Sequence, residues 1–186
     1  FNGLKLKEFG LAKPQKLVSG NTGLQKLSIS KIGSPELFWP ALSKGMQSNT
    51  FLKELRVDDC LITLKGMEKL VDSFKYNTIT KLAILKAKMK DEAFIHLCSS
   101  EYIYRMVELD FDTNSLTNDS AFALAKVICN KRCKLKKFIV TRNLFGDEGY
   151  DALCEAFLEN MQLISISIGN YFSSVFLFLL LSSSNT

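Results

Sequence analysis

The sequence predicts an α/β solenoid: a curved parallel β-sheet on the concave face, helices on the convex face, and about seven repeats, the end ones incomplete. Three observations carry this expectation. The first is an apolar frame that recurs in phase. With Leu135 as position 1, positions 4, 6, 9 and 11 are Phe138, Val140, Asn143 and Phe145, and the same frame opens at Phe1, Leu24, Leu52, Ile79, Met106 and Leu163. The second is a helical signal after five of the frames, complete in four. Six, ten and fourteen residues beyond position 9 stand Phe38, Leu42 and Met46; Gly66, Leu70 and Phe74; Ser120, Leu124 and Ile128; Gly149, Leu153 and Phe157. Spacing of i, i+4, i+8 is one face of a helix. The third is physical. Positions 4 and 6 point to the same side of a strand, so strand and helix share one interior that a single unit is too small to close. Stacked neighbours close it.

In chain order, residues 1–23 form a short, irregular first copy with Leu4, Leu6, Phe9 and Leu11, in which Pro14 opens or breaks a helical turn. The second copy carries Leu27, Ile29 and Ile32. Ser34-Pro35-Glu36 reads as a helix start with Ser34 as cap, and Pro40 is expected to kink that helix or shift its start. Trp39 reads as core or edge packing. The third copy has Leu55, Val57, Cys60 and Ile62. The fourth has Leu82, Ile84, Ala87 and Met89 but keeps only Ala93 and Leu97 of the helical row, so its helix should be shorter. Lys90-Asp91-Glu92 and Thr117-Asn118-Asp119 supply polar helix entries, the acids suiting the positive end of the helix. Asn114 and Asn143 at position 9 can bond turn backbone that would otherwise be buried unpaired. Phe9, Ile32 and Ala87 cannot, so those turns need another solution.

The frame resembles the LxxLxLxxN/CxL pattern of the leucine-rich repeat family. Repeats of this length with a full helix resemble its ribonuclease-inhibitor-like type. The resemblance covers residues 1–170 and implies a non-enzymatic protein–protein interaction scaffold that binds a macromolecular partner through the concave strand face. It also implies alternatives: a GTPase-activating domain of the Ran type, for which Arg56 and Arg142 are the available strand-edge arginines, or the ligand-sensing region of a larger receptor or cytoskeletal protein.

Composition narrows the classes. The chain has 186 residues, one domain's worth, with 47% hydrophobic content and a net charge of +5. Phe1 already stands in a repeat frame, so the chain reads as a fragment whose N-terminal cap is missing. Five cysteines show no disulfide spacing, which points to a reducing, intracellular (cytoplasmic) compartment. Cys129, Cys133 and the lone His96 do not make a metal set, because His96 falls in another repeat. No cofactor, nucleic acid or small-molecule substrate is expected. Residues 171–186 break the pattern. Tyr171–Leu181 is apolar but short of the ~20 residues of a membrane helix. It reads as a cap on the solenoid, as an artefact of a wrong frame or unremoved intron, or as a truncated membrane segment.

The outward strand positions supply the candidate site. Position 3 alternates Lys26, Glu54, Lys81, Glu108, Lys137, and position 8 runs Glu8, Lys31, Asp59, Lys86, Thr113, Arg142. Adjacent strands lie about 4.8 Å apart, so both rows read as ion ladders that fix register. Positions 5 and 7 differ. They read Arg56 and Asp58, Ala83 and Leu85, Asp110 and Asp112, Ile139 and Thr141. Two carboxylates flanked by outward Leu85 and Ile139 suit a partner surface with Lys or Arg as the incoming contact. Arg56, Asp58, Leu85, Asp110, Asp112, Ile139 and Thr141 are therefore the candidate partner-binding residues. With no nearby His and no expected pocket, the pair does not suit acid–base catalysis.

Overall fold

The computed structural model describes residues 3–7, 14–21, 23–160 and 162–168. The sequence elements at Phe9, Leu11, Glu8 and residues 171–186 lie outside the described residues. In order the elements are β1 (Gly3–Lys7), α1 (Pro14–Ser19), β2 (Lys26–Ser30), α2 (Pro35–Met46), β3 (Glu54–Asp58), α3 (Leu64–Phe74), β4 (Lys81–Leu85), α4 (Asp91–Ser99), a 3-10 turn (Glu101–Arg105), β5 (Glu108–Asp110), α5 (Asn118–Ile128), β6 (Lys137–Ile139), α6 (Asp147–Glu159) and β7 (Ser165–Ser167).

The seven strands form one sheet in sequence order, each neighbour parallel to the last. Register follows the repeat frame: Leu27, Leu55, Leu82, Leu109, Phe138 and Ile166 are successive partners. The first five of these are buried, and Ile166, on the last strand, is half-buried. Helices pack each on the next, α1 to α6, as a second layer. Their buried row is the expected one: Phe38, Leu42 and Met46; Leu70 and Phe74; Ala93 and Leu97; Leu124 and Ile128; Leu153. Strand and helix rows belong to one continuous apolar cluster. The helix of the fourth copy is indeed short, nine residues against eleven in α3 and α5.

Three local expectations are refined. Ser34 holds the cap position of α2, yet its side chain caps nothing; its carbonyl accepts from Phe38 N instead. Pro40 leaves the start of α2 at Pro35 and lies inside the helix, where its ring is exposed. Trp39 is buried, its Nε1 donating to the Leu61 carbonyl at 3.0 Å. Gly66 faces it so closely that a Cβ there would come within 2.7 Å of the indole.

The turns after the strands are closed as the asparagines foretold. Asn114 Nδ2 donates to the carbonyls of Ile84 and Phe111, while its Oδ1 accepts from Ala87 N and Met89 N. Asn143 repeats the arrangement one unit on, reaching Phe111 and Val140 carbonyls and Leu116 N. The turn with Ala87 at position 9 is thus satisfied by the asparagine of the next repeat. Cys60 bonds within its own turn: its Sγ donates to the Asp58 carbonyl at 3.2 Å.

Candidate partner-binding face

Position 3 of the strands resolves into discrete ion pairs rather than a continuous ladder. Lys26 bridges Glu54 at 2.9 Å, and Lys81 bridges Glu108. Lys137 makes no ion pair among the described residues. Lys81 is held above its ordinary pKa chiefly by the hydrogen bond to Glu108.

The expected second ladder at position 8 is not there. Lys31, Asp59, Lys86, Thr113 and Arg142 all have φ between 49° and 56°, the left-handed region. They stand in the turn that leaves the strand, not on the strand, and no ion pair joins row neighbours among the described residues; Arg142 Nε only donates to Thr113 Oγ1 at 2.7 Å. What repeats is a backbone job: Lys31 N, Asp59 N, Lys86 N and Thr113 N each donate to the position 7 carbonyl of the next unit. The left-handed turn aims these N–H groups sideways along the stack. It costs a non-glycine residue about 1 kcal/mol, which the repeated bond offsets.

The seven candidate residues do not share one fate. Arg56, Asp110 and Ile139 lie in a single cross-strand row with Ala83 between the first two. They line a hollow of about 320 Å³ on the strand face, together with Glu54 and Lys137; the sequence led to no such hollow. Asp110 is half-buried. Burial raises its pKa, and the charge of Asp112 adds to this; the Asp112 N–H at 3.2 Å and the charges of Arg56 and Lys137 oppose the rise without cancelling it. No cation lies within ion-pair distance of it among the described residues.

Asp112, Thr141 and Leu85 depart from the expectation. β5 ends at Asp110 and β6 at Ile139, so Asp112 and Thr141 stand in the turns beyond. Asp112 is buried and fully engaged: it accepts from Thr113 Oγ1 at 2.9 Å and from Thr141 Oγ1, and pairs with Arg142. Burial pushes its pKa up, but the hydrogen bonds from Thr141, Arg142 and Thr113 outweigh that and hold it below the usual carboxylate range. The two carboxylates are therefore not a matched pair. One is a structural clasp and the other faces the hollow. Leu85 is buried too, at 7% exposure, and its carbonyl accepts from Asp59 N. Asp58 sits at the rim, 3.8 Å from Arg56. Arg142, one of the two arginines considered for a GTPase-directed role, is committed to Asp112 and Thr113.

Residues 48–71 match the sequence profile of the leucine rich repeat family. No curated protein matches the chain in sequence. Among solved structures, a tropomodulin C-terminal domain from Caenorhabditis elegans superposes with a TM-score of 0.59 at 16% identity, covering 76% of this chain and 87% of that one. The second actin-binding site of leiomodin-1 superposes with a TM-score of 0.51 at 11% identity, covering 91% and 84%. The fold is a leucine-rich repeat solenoid.

Within this solenoid, sequence reasoning overlooked two rows. One is a second asparagine column before the strands. Asn49 donates to the Asn21 carbonyl at 2.8 Å and accepts from Phe51 N; Asn160 donates to the Ile128 carbonyl at 2.8 Å and accepts from Gln162 N. Its signal was legible, since Asn21, Asn49 and Asn160 each stand three residues before a repeat start. The other is capping between repeats. Asp91, at the start of α4, accepts from Thr117 N at 2.8 Å and from Ser120 Oγ at the start of α5. Asn118 likewise accepts from Gly146 N at 2.7 Å. A leucine-rich repeat helix here is capped by its neighbour, which a search for local capping residues does not detect.

No helix of the described residues is long and apolar enough to cross a membrane. Of the five free thiols, Cys60, Cys98, Cys133 and Cys154 are buried and Cys129 is exposed. No group of three or more His, Cys, Asp or Glu that could hold a metal ion occurs among the described residues.

Proposed function

We propose that the chain is a non-enzymatic protein-binding scaffold that takes its partner on the strand face, with the Asp110 hollow at the centre of contact. One observation carries this reading. Asp110 is a half-buried carboxylate with a raised pKa, left without an ion pair on a face where Lys26, Glu54, Lys81 and Glu108 are paired off. A desolvated anion in a hollow between Ala83 and Ile139 is a seat for a Lys or Arg side chain from a protein partner. Arg56 and Ile139 would share the contact, with Asp58 at the rim. Asp112, Thr141 and Leu85 would hold the floor and turn in place.

Repeats of 27–29 residues that each carry a helix support the ribonuclease-inhibitor-like type. Free cysteines, four of them buried, support a reducing compartment. The likeness to an actin-binding region of leiomodin-1 makes actin the first partner to test. The experiment is co-sedimentation and monomer binding of actin by the wild-type chain and by Asp110→Lys. Binding that falls about tenfold or more on charge reversal supports the face. An actin complex indifferent to Asp110→Lys would move the contact elsewhere, and no complex at all would remove actin.

A further inference from the structure

The edge of the solenoid formed by the helix-to-strand loops is basic. Six loops lead from a helix to the next strand, over residues 20–25, 47–53, 75–80, 100–107, 129–136 and 160–164. Among them they hold seven Lys and Arg against Glu101 alone, a balance of +6 that exceeds the +5 of the entire chain. The charge concentrates in one loop. Lys131, Arg132, Lys134 and Lys136 are all exposed, and Lys137 continues the run onto the strand face. None of the five is in an ion pair among the described residues. The loop is also stiff. Lys134 N and Lys136 N donate to the Tyr104 and Val107 carbonyls, and Cys133 N to the Asn130 carbonyl at 2.8 Å. The backbone that carries the basic side chains is thus held, and those side chains have no ion-pair partner among the described residues.

We infer that this basic edge is a docking surface for an acidic segment of a protein partner. The inference rests on the strand-face reading for its partner class, since Lys137 both ends the basic run and lines the Asp110 hollow, so one macromolecule can lie across both. A nucleic acid fits less well. Its bases need free ring faces, and the tyrosines here already carry cations: Arg132 lies 4.8 Å from the Tyr104 ring centre, Arg105 5.1 Å from Tyr102, and Lys75 5.7 Å from Tyr76. Arg105 is further committed to the Phe74 and Ile79 carbonyls. What remains free is lysine ammonium groups and the Arg132 guanidinium, which suit carboxylates at close spacing.

The test uses the full chain with three probes: a poly-glutamate peptide, vesicles of phosphatidylserine and phosphatidylcholine, and single-stranded poly-dT. Poly-glutamate is expected to bind with an affinity that falls as salt rises. Lys134→Glu with Lys136→Glu is expected to weaken it about tenfold or more. Lys86→Glu with Lys88→Glu, on the opposite edge and of equal net charge, is expected to leave it within about twofold. Equal losses in both variants would show mere net charge and overturn the site. Tighter capture of the vesicles or of poly-dT would replace the acidic peptide with a lipid surface or a nucleic acid. Asp110→Lys is expected to leave poly-glutamate binding no weaker, so loss of partner binding in that variant alone bears on the strand face and not on this edge.

Discussion

Strands β2, β3 and β4 carry five residues each, whereas β5, β6 and β7 carry three. The two halves close the same turn by different means. After the long strands, position 9 is Ile32, Cys60 or Ala87, and the turn is left to backbone bonds along the stack, to the Cys60 thiol or, after β4, to the Asn114 side chain reaching back from the next unit. After the short ones, Asn114 and Asn143 fill the turn and Asp112 gathers Thr113, Thr141 and Arg142 around it. At the end of β5, Asp112 N donates to the Asp110 side chain, while Phe111 N and Thr113 N still donate to the Ile139 and Thr141 carbonyls of the next unit. Asp110 is the last residue of β5, and it lines the hollow on the strand face.

The comparison is tested most severely at position 9. Asn114→Ala takes the side-chain partner from three backbone groups, Ala87 N, Met89 N and the Ile84 carbonyl, at about 1–3 kcal/mol for each that water cannot reach, while the Phe111 carbonyl keeps Asn143. A loss of about 3 kcal/mol or more is expected from the shift in urea midpoint. Cys60→Ala removes one weaker sulfur bond and little volume, so about 1 kcal/mol is expected. Equal losses at the two positions would mean that the halves are not held differently after all.

How much of this could be read from residues follows the same division. The phase of the repeat, the parallel register and both apolar rows are consequences of burial, and burial writes a period into the sequence. Leu55, Leu82, Leu109 and Phe138 therefore fell where expected. The left-handed residue at position 8 left no such mark, because Lys31, Asp59, Lys86, Thr113 and Arg142 are not types that announce a positive φ. Their alternating charge even suggested a ladder. Asp110 and Asp112 failed as a pair for a related reason. β5 ends at Asp110, so only the first of the two remains on the sheet, and the repeat frame does not mark that end. Leu85, expected to face outward at position 7, is buried.

A second pair of substitutions separates the two carboxylates by sign. Asp112 has a depressed pKa in the fold, so its contribution is complete above the unfolded value of about 3.9 and disappears as pH falls through the folded value. Asp112→Asn should cost about 2 kcal/mol at pH 7 and flatten the acid limb of the stability profile. Asp110 has a raised pKa, so the fold holds that proton more tightly than the unfolded chain does. Its contribution is present in acid and declines as pH rises from about 3.9 through the folded value. Asp110→Asn should therefore leave neutral-pH stability equal or raise it by up to about 1 kcal/mol. Urea titrations between pH 3 and pH 7 decide it. If both variants lose stability at neutral pH, Asp110 is a structural group like its neighbour and not a vacant seat.

The smallest effect sharpens the comparison along position 3. Lys81 bridges Glu108 across β4 and β5, whereas Lys137 has no such partner on the short-strand side. The Lys81 pair is more than a third exposed on both sides, so Lys81→Gln should cost at most about 0.5 kcal/mol, and that cost should fade in high salt. Lys137→Gln should cost nothing measurable in either condition. Binding is expected to reverse the order: Lys137 lines the hollow and continues the basic edge, so its loss should weaken an acidic partner while leaving thermal midpoints untouched. A Lys137→Gln variant that lowers stability but spares binding would place Lys137 with the ion pairs that hold the stack, and the face would then have to be sought away from the short strands.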